Sequence, residues 1–442
     1  MKSKFAVRKL TMLVALVSVG LGSAGSWAAD ADQTEMEKLY KEGMYQREQG
    51  NLYTAIEAFQ TVLSNQPSLS RARLELAVTY YRTLNFAEAK RQAQTVLNDP
   101  KTPENVRLGV LAFLAQLQKD EDAFLAKRNV WEPSVSVGLL YDSNVNAGPG
   151  NGVIDTPSGI SFALTPASLA ASDWATVLQA GLSHRYQSPE AIKIGEKAAR
   201  FVWQSQLNFY TRNYFSKDDF SLNVLSAATG PAWLVANNWR ANLNAQVDYI
   251  QLGGSELAWY YSLTPSVTWE FKDGEVTLDA ILMNRDFTRE EDTGRDSNFY
   301  SLGLSVGKLI GAEKKVAIQG GVRVFDEQAE NTAANPGRFS NNGTEVFAGM
   351  NWAAWNHGTV FGRISQKDAK YDGDEPLYGV KRDETERRVE IGFSHDFKEA
   401  TLKDWRLSGS VSHTENASNS NPKTTIYEYR RDLVGLNLSR TF

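Results

Sequence analysis

The chain has 442 residues, 47 basic and 52 acidic side chains, a formal net charge of −5 and no cysteine. A length of this order suits two domains. The missing cysteine excludes disulfides, thiolate metal sites and a lipidated N-terminal cysteine, and the mild acidity gives no sign of nucleic-acid binding.

Residues 1–28 have the layout of a secretory signal peptide. Lys2, Lys4, Arg8 and Lys9 form a basic start, an apolar core runs from about Leu10 to Gly22, and Ser26-Trp27-Ala28 supplies small residues before a cut after Ala28. The apolar run is short for a membrane anchor. Cleavage places the mature protein beyond the inner membrane.

Residues 29–127 are expected to form a helical domain, punctuated by Pro67, Pro100 and Pro103. Two segments match at a spacing of 34 residues. In the first, Gly43, Gly50, Leu52, Ala55, Phe59, Val62 and Pro67 fall where a tetratricopeptide repeat places small, turn and packing residues. Leu76, Ala77, Tyr80, Phe86, Ala89, Ala93 and Val96 follow in register in the second. A further helix over 103–127 caps the stack. Such a repeat leaves a concave face that would show Glu37, Tyr40, Met44 and Arg47, then Arg71, Leu74, Val78 and Tyr81. Two readings stand side by side: a groove for a client peptide or partner helix, and repeats that merely pack on a barrel rim. Residues 127–133 read as a junction.

From residue 134 onward the pattern changes to period two. Trp174, Thr176, Leu178, Ala180, Leu182, His184 and Tyr186 share one face, and Ala175, Val177, Gln179, Gly181, Ser183 and Arg185 the other. Successive strand side chains leave on opposite faces, so this is an apolar face with aromatic ends and a polar, small-residue face. That is the pattern of a barrel with lipid outside and water inside. Such a barrel shows lipid only half of each strand, so the negative mean hydropathy is compatible with a membrane. Fourteen strands are expected, over 134–143, 173–187, 199–214, 219–234, 239–251, 258–272, 275–288, 297–309, 314–327, 342–354, 357–371, 382–397, 404–416 and 429–442. Connections after odd strands are mostly long and polar and those after even strands mostly tight, apart from a long 188–198 and a short 215–218. Long outer loops and short periplasmic turns then put the helical domain in the periplasm. The closing strand aligns Val434, Leu436, Leu438, Arg440 and Phe442 on one face. A last strand ending on an aromatic resembles the assembly signal of outer-membrane barrels, with Arg440 snorkelling where an apolar residue is usual.

The fold class is therefore a short α-helical tetratricopeptide domain (29–127) followed by a 14-stranded antiparallel transmembrane β-barrel (128–442), in the outer membrane of a Gram-negative bacterium. No catalytic, metal or cofactor grouping stands out. His184, His357, His395 and His413 are scattered, and Glu290-Glu291-Asp292 and Asp372-Gly373-Asp374-Glu375 read as solvated loops before calcium sites. No enzyme and no cofactor are expected.

The order of parts, the Trp131-Glu132-Pro133 junction and the run Gly138-Leu139-Leu140-Tyr141-Asp142-Ser143-Asn144-Val145-Asn146 resemble the surface lipoprotein assembly modulator (Slam) family. The last strand, with Arg430, Arg431, Asp432 and Arg440-Thr441-Phe442, is similar too. The helical domain is shorter than in the best-known members. The resemblance implies a translocator that takes a surface lipoprotein or secreted soluble protein from periplasm to cell surface. It implies that the repeats engage periplasmic components and that the barrel recognises the client. Its partners would be that client, outer-membrane lipid and the barrel-assembly machinery, with the chain itself a monomer. The motif residues Tyr141, Asp142, Ser143, Asn144 and Asn146 read either as a functional element or as a turn that ends the first strand, since Asp, Ser and Asn cap turns readily. An exopolysaccharide exporter and a diffusion porin remain alternatives.

Overall fold

The computed structural model describes residues 31–442, apart from 157, 237, 312, 314, 331–335, 400 and 420–425; the expected signal peptide lies outside the described residues. Among the described residues five helices precede a closed 14-stranded antiparallel barrel. Among the described residues no helix is long and apolar enough to cross a membrane. The chain divides into two compact units. One comprises the helices to Asn129 with Tyr186–Val202 and Trp233–Ala236; the other is the remainder.

In the first unit the helices are α1 (Ala31–Glu48), α2 (Leu52–Asn65), α3 (Ser70–Arg82), α4 (Phe86–Leu97) and α5 (Glu104–Leu125). The ends of α1 and α3 and the starts of α2 and α4 recur 34 residues apart, Glu48 to Arg82 and Leu52 to Phe86. Helix α2 turns Ala55, Ile56, Phe59, Val62 and Leu63 inward, and α4 does so with Phe86, Ala89, Ala93 and Val96, each a 3.6-residue stripe. Asn85 caps α4 by accepting the Glu88 amide at 3.1 Å. Phe59, Val62, Leu76, Val96, Val110 and Leu117 are fully buried in one core. Each contributes about 1.5–3 kcal/mol by area. Close crossing needs Gly43: a Cβ there would lie 2.8 Å from the Phe59 ring. The turn after α1 uses Gly50 at φ +78°, and the equivalent turn 34 residues on places Leu84 at φ +61°.

The barrel strands are β1 (Asn129–Asp142), β2 (Asp173–Gln187), β3 (Lys197–Tyr214), β4 (Leu222–Val235), β5 (Trp239–Leu252), β6 (Ser255–Phe271), β7 (Gly274–Phe287), β8 (Ser297–Ile310), β9 (Val316–Ala329), β10 (Asn341–Trp355), β11 (Gly358–Glu375), β12 (Val380–Asp396), β13 (Trp405–Ser418) and β14 (Tyr429–Thr441). Each pairs with its neighbours, and β1 meets β14 to close the ring. The alternation fixes inside and outside. On β8, Tyr300, Leu302, Leu304 and Val306 are exposed, while Ser301, Gly303, Ser305 and Gly307 take the opposite face. Val137, Leu139, Val434 and Leu436 are exposed in the same way on β1 and β14. A belt of exposed leucine, valine and isoleucine around a closed ring is the lipid-facing band of an outer-membrane barrel.

Several expectations are corrected. The first strand begins at Asn129, not 134, so Trp131 and Pro133 lie within it rather than in a junction. It starts early because β2 offers a partner there: the Gln187 amide donates to Arg128 O at 2.7 Å, and Trp131 stacks on His184 at 4.1 Å between centroids. The expected loop 252–257 is a two-residue Gly253-Gly254 turn, both glycines at positive φ, and 372–381 shrinks because β11 runs on to Glu375 and β12 starts at Val380. The long 188–198 connection is a hairpin in which Ile192–Ile194 pairs with Lys197–Ala199.

Candidate functional site

Half of the expected concave face is buried. Tyr40, Arg47, Leu74 and Val78 are all buried, three of them in the helical core and Arg47 against Glu75. Arg71 lies over the Tyr40 ring at 4.6 Å, and Met44 and Tyr81 are half-buried against the same core; Glu37 is exposed. Tyr81 donates to Asp120 Oδ2 at 2.6 Å, which ties α3 to α5. Burial pushes the Tyr40 hydroxyl up to about 12, with the Glu75 charge adding to it; burial and then Asp120 raise Tyr81 further. The two helical pairs fill their own groove because these side chains are bulky or paired. Glu37, Arg71, Met44 and Tyr81 keep part of the predicted face at the surface.

The helical unit instead holds the 188–196 hairpin. Leu52 N donates to Glu196 O at 3.2 Å and Thr54 N to Glu196 Oε2 at 3.0 Å, with the Thr54 hydroxyl on the same carboxylate. Lys197 Nζ donates to Gln49 O at 3.2 Å, Lys193 pairs with Glu57 at 3.7 Å, and its ammonium lies over the Tyr53 ring. Glu196 thus supplies an acceptor to the amides at the start of α2, where helical N–H groups have no partner of their own. The Thr54 bonds hold its carboxyl below the usual carboxylate range.

In the barrel unit the first-strand motif is densely hydrogen-bonded. Asp142 is fully buried. It receives two bonds from Arg431, Nε to Oδ1 at 3.0 Å and Nη2 to Oδ2 at 2.5 Å. The Tyr214 hydroxyl and the Asn144 amide also donate to it. Asn144 Nδ2 donates to Arg430 O at 3.0 Å and to Gly148 O at 2.8 Å. Ser143 exchanges bonds with Asp432, donating its amide to the carbonyl at 3.0 Å and accepting the Asp432 amide on its hydroxyl at 2.7 Å. Asn146 pins the return of the 143–172 loop through Leu169 O at 2.8 Å and Ala171 N at 3.2 Å. Tyr141 packs against Trp174 outside. These residues form a clasp that joins β1 to β14 and folds the first loop back.

The closing-strand residues Val434, Leu436 and Leu438 face Tyr141, Leu139 and Val137 across that junction, on the lipid side. Phe442 donates its amide to Pro133 O at 2.9 Å, and the Arg440 guanidinium covers its ring at 4.7 Å.

Several lumen-facing charges come in pairs. Arg323 meets Asp279 at 2.5 Å, Arg285 meets Glu327 at 2.6 Å, and Arg240 meets Glu275 at 2.9 Å. Where β11 and β12 extend past the barrel belt, Arg382 is sandwiched between the Tyr371 and Tyr427 rings at 3.8 and 3.9 Å. Glu375 accepts the Leu377 amide and the Tyr427 hydroxyl, so this acidic residue serves the loop's own bonding. Sequence alone did not find the Arg382 sandwich, the lumen pairs or the role of 188–196; each joins residues from separate elements. No group of three or more metal-ligating side chains occurs among the described residues. His395 accepts from Trp355 Nε1 at 3.1 Å, and His413 contacts Asp432 at 2.6 Å.

No protein-family model matches the chain. The chain is similar to the hemophilin secretion modulator of Acinetobacter baumannii, 33% identical over 110 residues; that stretch spans 24% of this chain and 21% of the relative. Among solved structures it is similar to the outer-membrane channel DcaP of Acinetobacter baumannii (11% identity, 71% of this chain, 97% of that one, TM-score 0.39). It is also similar to a loop-deleted OmpT of Vibrio cholerae (8% identity, 71% and 100%, TM-score 0.38) and to a bacterial polysaccharide outer-membrane secretin (8%, 70% and 98%, TM-score 0.36).

Proposed function

We propose that this protein is an outer-membrane translocator of the surface lipoprotein assembly modulator type, which delivers one client, a surface lipoprotein or a secreted soluble protein, from periplasm to cell surface. The similarity to a secretion modulator carries this reading. The joining of a helical repeat unit to a closed barrel supports it. The chain works without bond chemistry or a cofactor. Its helical unit stands in the periplasm and its long loops outside, the barrel-assembly machinery inserts it, and it acts as a monomer.

The paired lumen charges suit this role. Arg323–Asp279 and Arg285–Glu327 neutralise one another on the polar wall. A wall of that kind wets an extended polypeptide without trapping it, whereas a field of one sign would select small ions.

The test is co-expression with the product of the neighbouring gene in a laboratory Gram-negative host, with antibody labelling of intact cells. Barrel-dependent surface exposure supports the reading, and its loss on deleting 30–127 assigns the helices to client handling. A client that stays periplasmic while small sugars enter faster overturns it in favour of a porin.

A further inference from the structure

We infer that the β1–β14 junction is the line along which the barrel opens, and that its parted edges receive an extended strand of the client; this rests on the translocator reading above. The junction is the shortest of those whose register is described. Its ladder runs from Ser134↔Thr441 to Asp142↔Leu433, nine pairs, whereas β13–β14 runs from Trp405↔Arg440 to Asn416↔Tyr429, twelve pairs, and β11–β12 is longer still. On the lumen side its partners are small: Ser134 with Thr441, Ser136 with Ser439, and Gly138 with Asn437. No large apolar side chain spans it over these three pairs; Leu140, nearer the clasp, lies over Gly435. Gly138 is required for the approach, since a Cβ would lie 2.5 Å from Leu436 O.

The fastening is one-sided. Other junctions carry an ion pair at the end where this one has none, as Arg406–Asp396 at the last rung of β12–β13, or within the ladder, as Arg363–Glu345 across β10–β11. Here the described ion pair is Asp142–Arg431, at the last rung, with the Ser143 and Asn144 bonds beside it. At the other end Phe442 N reaches Pro133 O, and proline has no N–H to return the bond. Parting therefore begins at the Ser134–Thr441 end and hinges on the clasp.

Unpaired strand edges are not tolerated in lipid, so the junction opens only as an incoming strand takes up its N–H and C=O groups. The partner is a β-strand with apolar side chains on one face, to continue Val137, Leu139, Val434 and Leu436, and small polar ones on the other.

The chain has no cysteine, so a lock can be introduced cleanly. Ser136→Cys with Ser439→Cys bridges the junction by a disulfide or a short bis-maleimide; Ser394→Cys with Ser408→Cys bridges β12–β13 as the control. Surface client is read on intact cells, oxidised and then reduced, with heat-modifiable migration reporting a folded barrel. The junction lock is expected to abolish export and reduction of the same cells to restore it, with the control exporting throughout. Export through the locked junction overturns the inference and leaves the translocator reading intact if the unsubstituted chain exports. Equal loss in the control, or loss that reduction does not reverse, also overturns it, as general stiffening or misfolding. If the unsubstituted chain exports nothing, both readings fall.

Discussion

Asp142 and Arg431 stand 289 residues apart in the chain and meet in a two-point ion pair, 3.0 and 2.5 Å, at one end of the junction that closes the barrel. Asp142 is wholly removed from solvent, and Tyr214 and the Asn144 amide complete its bonding.

Removing one partner leaves the other charge unpaired, Asp142 buried and Arg431 partly so. Asp142→Ala is expected to destabilise the barrel by about 3–5 kcal/mol and Asp142→Asn by less, because the amide keeps some of the bonds. The double variant Asp142→Ala/Arg431→Ala should cost less than the sum of the singles. Guanidinium unfolding in detergent, followed by tryptophan fluorescence, measures the cycle; additive losses would mean that the pair is not coupled.

Gly43 sits where the Phe59 ring allows no side chain, and that ring is fully buried. Gly43→Ala gains helix propensity of about 1 kcal/mol but must displace the ring, so no stabilisation is expected. Gly43→Val should lose about 1–3 kcal/mol through overpacking. Phe59→Leu in the same chain should recover part of that loss. Thermal melts at the helical wavelength decide, and independent effects of the two substitutions would remove the steric explanation.

Tyr40 and Tyr81 are held protonated, Tyr40 up to about 12 against an ordinary 10. A raised folded-state value favours the neutral form. The stability it protects is therefore complete below pH 10 and is lost as pH climbs through the folded-state value. The helical signal should hold to pH 10 and fall between 10 and about 12. Tyr81→Phe and Tyr40→Phe should each remove one late-ionising hydroxyl from an ultraviolet titration. Ionisation of both groups at the ordinary value would contradict their burial.

Glu196 closes the start of α2 from the 188–196 hairpin. Glu196→Ala is expected to speed amide exchange at Thr54, whose N–H loses its acceptor, while leaving Leu52, which bonds the backbone carbonyl, less affected. Exchange read by mass spectrometry on the full chain checks this. Unchanged protection at Thr54 would show that the carboxylate does not hold the hairpin to the helix.

The period-two pattern made the barrel legible from residue 173 alone, because the side-chain direction of a strand is a local property and lipid rewards every second position. The 34-residue helical repetition was legible for the same reason: Phe59, Val62, Ala89 and Ala93 face inward by helical phase. Strand ends were less so. β1 runs back to Asn129 and β11 on to Glu375 only because neighbours stand ready to pair. Half of the expected concave face is buried because phase says which side a residue takes, not whether Arg47 will find Glu75 or Tyr40 will sink into a core. The sequence by itself determined helices, then fourteen strands, an apolar outside and a polar inside. Only the tertiary structure decided that Asp142 clasps Arg431, that 188–196 belongs with the helices and that Arg323 pairs with Asp279 and Arg285 with Glu327. Each of those joins residues far apart in the chain, and periodicity carries no record of long-range partners.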